Sequence, residues 1–177
     1  MALAVTRADA GGGSSVRTTW RHTMNAPATA SMPRALSVEH RERLLRTARE
    51  VSFPMGARLF EEGGQADRFW IIRTGTVDLD MRVPGRPAAV IESLGHNELL
   101  GWSWLYPPHV WHLGAEAASP LRAYEFDAAA VRALCQADPE FGRSIARWVG
   151  EVVADRLQAA RVRLLDLYAP HGSGSLR

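Results

Sequence analysis

The spacing of apolar positions changes twice along this chain. Over residues 1–36 there is no period: Ala, Ser, Thr and Gly dominate, with a run from Gly11 to Ser15, and the segment reads as a disordered extension. Ser37, followed by Glu39 and then by Leu44 and Leu45, predicts a capped helix with both leucines on its inner face. From Val51 the period shortens. Apolar runs at Val51 to Phe53, Arg58 to Phe60, Phe69 to Arg73, Thr76 to Arg82, Ala88 to Leu94, Trp111 to Ala117 and Leu121 to Phe126 alternate with turn residues such as Pro54, Gly56, Gly75, Pro84 and Gly95. In Thr76 to Arg82, strict alternation places Val77, Leu79 and Met81 on a buried face and Asp78 and Asp80 on a wet one.

After Asp127 the period lengthens again. Asp127 can cap a short helix through Cys135, and Asp138-Pro139 supplies a second N-cap with proline at the first helical position. A long helix then runs to about Tyr168. Phe141, Ile145, Val149, Val153, Leu157, Ala160, Leu164 and Leu167 follow steps of four and three and make one continuous stripe. About 30 helical residues extend about 45 Å, longer than a small roll can cover, so part of the stripe needs another partner. The fold class is therefore mainly β with flanking helices: a β-roll or jelly roll over residues 37–137, a long helix over 138–169 and a flexible tail over 170–177.

Composition narrows the function classes. A net charge of +2 is too small to indicate a nucleic-acid partner, and all 21 basic residues are scattered arginines. The single cysteine, Cys135, excludes a disulfide framework or a Cys-rich metal site within the chain. No run approaches the roughly 20 apolar residues of a membrane span, and no signal-peptide core is present, so the chain is expected in the cytoplasm and not on a membrane. Arg7, Arg17, Arg21 and Arg34 against the lone Asp9 have the composition of a transit peptide, but a start at Met24 or Met32 behind a flexible extension accounts for them more simply. His109 and His112 have two residues between them and would face opposite sides of a strand, which disfavours the metal site of a cupin-like enzyme. No nucleophile triad, paired carboxylate or phosphate-binding loop is present at a convincing spacing, so the chain is read as non-enzymatic.

Phe53 to Gly63, Phe69 to Val77 and Leu94 to Gly101, in that order ahead of a long helix, resemble the cyclic nucleotide-binding domain of Crp/Fnr regulators over about residues 37–168. In that family a short helix aims its N-terminal amides at a cyclic phosphate. A Glu meets the ribose hydroxyl, and an Arg pairs with the phosphate. The resemblance implies a ligand, cyclic AMP or cyclic GMP, at Glu98, Leu99, Leu100, Gly101, Trp102, Ser103, Trp111 and His112, with Glu98 matching the Glu. The Arg is absent from Pro107 to His112, which removes a charge-assisted contact worth roughly 1.5–3 kcal/mol. Trp102, Trp104 and Trp111 could stack on a purine, but large aromatics beside a pocket more often belong to the core or an interface.

The resemblance further implies a homodimer through the long helix, with Val149, Val153, Leu157, Ala160 and Leu164 as the seam and Arg156, Arg161 and Arg163 flanking it beside Glu151, Asp155 and Asp166. Only nine residues follow Tyr168, so no helix-turn-helix domain and no sequence-specific DNA binding are expected of this chain. The function expected is a regulatory sensor that signals through its dimer. The alternative is a protein-interaction module whose pocket is closed by its own aromatics.

Overall fold

The computed structural model describes residues 36–168, with side chains through Leu165. The expected extension and tail lie outside the described residues, except for Leu36, which is buried. Helix α1 (Val38–Leu45) starts where Ser37 accepts a hydrogen bond from the His40 amide. Eight strands follow: β1 (Arg49–Phe53), β2 (Arg58–Phe60), β3 (Arg68–Thr74), β4 (Val77–Met81), β5 (Ala89–Leu94), β6 (Leu99–Leu100), β7 (Gly114–Ala117) and β8 (Leu121–Asp127). A single 3-10 turn, Trp102–Trp104, lies between β6 and β7. Helices α2 (Ala128–Ala137) and α3 (Pro139–Tyr168) complete the chain.

The strands form two four-stranded antiparallel sheets, β1-β8-β3-β6 and β2-β7-β4-β5, as a roll requires. Between them Phe69 stacks on Trp104 and Phe126 at centroid distances of 4.2 and 4.6 Å, and Ile72, Val77, Leu94, Leu100 and Leu121 fill the remainder. Both helix starts after the roll follow their expected caps. Asp127 accepts from the Ala130 amide at 2.7 Å, and Asp138 accepts from the Glu140 and Phe141 amides at 3.0 and 3.1 Å. Those amide bonds, with Arg43 beside it, hold the Asp138 carboxyl below its usual range. Arg43 also lies over the Phe141 ring, so α1 clamps the start of α3.

Three expectations need correction. In β4, Met81 is 41% exposed while Asp80 is buried, because the pairing with β5 shifts between Leu79 and Asp80 and turns the following residues. Asp80 tolerates burial because Arg58, from β2, forms a two-pronged ion pair with it, one prong at 2.8 Å. The run from Trp111 enters a strand only at Gly114: Trp111 instead exchanges backbone hydrogen bonds with Gly63 and Gly64 at 2.9 and 2.8 Å. The two-residue strand β6 was not expected, being too short to show a period.

The β3–β4 turn depends on Gly75. Its φ is +92°, and a Cβ there would overlap the Pro120 carbonyl oxygen. Gly75→Ala should lower stability by about 2–4 kcal/mol, from left-handed strain and overlap together. Urea unfolding checks this as a lower midpoint at unchanged slope.

Candidate functional site

At one end of the roll, β2, β4, the 3-10 turn, the segment before β7 and helix α3 surround a pocket. It is small, with a cavity volume of about 60 Å³, and half open to solvent. It is lined by Phe60 and Leu79, by Gly101, Trp102 and Ser103, by Trp111, His112 and Leu113, and by Arg156 of α3. Rings dominate it. Trp111 stacks on Phe60 at 4.0 Å, Phe60 in turn on Trp70 at 5.7 Å, and His112 stacks on Trp102 at 5.6 Å.

Gly101 is what lets the Trp111 ring occupy this position. Its φ is +89°, and a Cβ would lie 2.6 Å from the Trp111 ring, so only glycine permits both the turn into the 3-10 helix and the ring against it. Trp104, buried on the other side of that turn, belongs to the core with Phe69. The 3-10 turn is held from outside by Arg132, which donates to the Trp104 carbonyl at 2.6 Å.

Of the eight residues expected to meet a ligand, Gly101, Trp102, Ser103, Trp111 and His112 line the pocket, and Glu98, Leu99 and Leu100 do not. The reason is the backbone. Glu98 precedes β6, four residues ahead of the 3-10 turn, and its carboxylate folds back to accept from the Gly95 amide at 2.6 Å. Leu99 and Leu100, paired with Ile71 and Trp70 of β3, are buried in the core.

Arg156 is the residue that sequence reasoning placed elsewhere. Expected beside a dimer seam, it instead turns to the roll, donates to the Leu99 carbonyl and retains 11% side-chain exposure, with Glu92 of β5 at 3.8 Å. Burial pushes its guanidinium below the ordinary arginine range while the charges of Glu92 and Glu98 act in the opposite direction; burial likewise raises the Glu92 carboxyl. Two turns further along, Arg163 donates to the Ile91 carbonyl at 2.6 Å, so α3 stays against β5. Val149, expected in the seam, is fully buried in the chain's own core together with Trp148 and Val152. Among the described residues no cluster of His, Cys, Asp or Glu is arranged to hold a metal, and no helix is long and apolar enough to cross a membrane.

The strands and the short helix after them are those of a known family: residues 50–138, half of the chain, match the cyclic nucleotide-binding domain. The chain belongs to that family. The domain is 28% identical over 124 residues to the CRP-like cAMP-activated global transcriptional regulator of Mycobacterium tuberculosis, across 70% of this chain and 54% of that protein. The chain thus spans about half the length of the curated relatives it matches. In fold, it resembles a cyclic nucleotide-binding domain from Methylobacillus flagellatus (TM-score 0.67, 20% identity, 80% of this chain and 78% of that one). It also resembles the N-terminal domain of a transcriptional regulator from Streptomyces coelicolor (TM-score 0.59, 25% identity, 71% and 86%). The family is a regulatory one.

In this domain the Glu98 carboxylate holds a turn. Glu98→Ala should therefore lower stability by about 1 kcal/mol, the usual worth of such a bond. Urea unfolding reads the loss directly; a variant as stable as the wild type would remove the carboxylate from that role.

Proposed function

We propose that the chain is the sensing module of a non-enzymatic regulator, which takes a small ligand in the pocket and signals as a homodimer through α3. The observation that carries this reading is that one helix serves both ends. Arg156 on α3 lines the pocket, while Leu157 and Leu164 on a neighbouring flank are 51% and 53% exposed. At 3.6 residues per turn, Val153, Leu157, Ala160 and Leu164 fall within about 60° of one another, and Arg156 and Arg163 about 80° around the helix from them. A ligand that moves Arg156 therefore rotates or tilts the apolar flank.

Contiguous apolar surface on a helix is a liability in water, and steps of four, three and four suit a two-stranded seam formed with a second copy. Val153 is half-buried, and Ala160 is exposed and small, which allows close approach of two helices. With Val149 committed to the core, the seam begins at Val153. Cyclic AMP and cyclic GMP are the first ligands to consider, because of the family and because the mycobacterial relative is cAMP-activated.

A second reading rests on the stack of Trp111 on Phe60, two of the rings that line the small pocket. In that reading the pocket is closed by its own rings and the module only pairs. Sedimentation at tens of micromolar should show a dimer that Leu157→Asp converts to monomer, because a carboxylate desolvated at a seam costs several kcal/mol. A wild-type monomer would sink the dimer. Calorimetric titration with cyclic AMP and cyclic GMP separates the two readings of the pocket: saturable heat supports the sensor, and its absence supports the closed module.

A further inference from the structure

Among the described residues, β6 ends one sheet and β5 ends the other, and residues 95–98 join these two edge strands. An open edge is a row of unpaired backbone groups on which another chain can build a strand. Strand β6 has only two residues, but β5 has six. The first three, Ala89 to Ile91, are apolar and uncharged, with Val90 59% and Ile91 41% exposed, the composition of a strand that pairs with copies of itself unless something covers it.

What lies over it is the far half of α3. Ile91 is the residue that the pairing with β4 skips, since Leu79 is matched to Glu92 and Asp80 to Val90, and its carbonyl accepts from Arg163 at 2.6 Å. Seven residues earlier in the helix, Arg156 donates to the Leu99 carbonyl of β6. Seven residues are two turns, so the two arginines leave the same face of α3 about 10 Å apart, and one helix reaches a carbonyl on each edge strand. Little else holds this arm to the roll. Of residues 157–165 only Ala159 is half-buried, and the others are exposed.

We propose that the far half of α3 is the edge cover of the roll, with Arg156 as its inner anchor and Arg163 as the contact that keeps β5 from pairing edge to edge with the β5 of a second copy. The inference is independent of the pocket and of the Leu157 seam, which lies on another flank of the helix. Release of the arm and exposure of the edge are one event, because the same guanidinium that holds the helix occupies the bulged carbonyl.

The test uses the full chain and Arg163→Ala, which cannot reach β5 yet favours helix and, at an exposed position, removes no core packing. Hydrogen exchange of the amides of residues 157–165 should become tenfold or more faster than in the wild type. Sedimentation at tens of micromolar should show assemblies heavier than those of the wild type at equal concentration. Adding Val90→Lys, a charge on the edge strand, should return the mass to that of the wild type while exchange stays fast. Exchange as slow in Arg163→Ala as in the wild type overturns the hold on the arm. Fast exchange without heavier assemblies, or assemblies that persist with Val90→Lys, overturns the role as edge cover, and both leave the sensor reading standing.

Discussion

Because Phe141, Ile145, Trp148, Val149 and Val152 give up nearly all their exposure to the roll, the first half of the long helix has a single angular setting. Burying each such side chain contributes roughly 1.5–3 kcal/mol, so five of them outweigh the several kcal/mol that desolvating one guanidinium costs. Everything beyond Val152 follows from that setting. With Val149 and Val152 inward, Arg156 and Arg163 must also face the roll, where they reach the Leu99 and Ile91 carbonyls. The same rotation leaves Leu157 and Leu164 in solvent.

The mouth of the roll is governed by a second constraint, the competition between its own rings and any ligand. Trp111 is held from three sides: by the Phe60 ring, by Gly101 beneath it and by backbone bonds to Gly63 and Gly64. A large aromatic so packed contributes several kcal/mol, comparable to the whole binding energy of a weak ligand. The polar residues that line the pocket, Arg156, Ser103 and His112, come from α3, the 3-10 turn and the segment before β7.

Ion pairs to two buried carboxylates, Asp80 and Glu125, set the frame around this site. Asp80 with Arg58 ties β4 to β2, and Glu125 on β8 accepts from Trp70 at 3.0 Å while pairing with Arg49 and Arg68. The Arg58 guanidinium is pushed above its ordinary range by its hydrogen bond to Asp80, the direction expected when the charged form is the one held. Each pair joins strands that are distant in sequence. Removing Arg58 would leave the buried Asp80 carboxylate without its partner, which is costly, whereas Glu125 would keep Trp70 and the second arginine if either Arg49 or Arg68 were removed.

What the sequence by itself determined is whatever is decided within a few residues. Ser37, Asp127 and Asp138 announce the three helix starts because a cap bonds amides two or three positions away, and the strands show because burial on one face imposes a two-residue period. The roll with its long helix was legible from that order. Tertiary structure alone decided the burial of Asp80, which needs Arg58 22 residues earlier, the two-residue strand β6, which exists only as a partner of β3, and the turning of Glu98 onto its own loop. It also decided the place of Arg156. On a helical wheel that arginine is an ordinary flanking charge, and only the roll, through a carbonyl 57 residues earlier, makes it part of the pocket. A periodic pattern records which face of an element avoids water, but not which distant groups that face will meet.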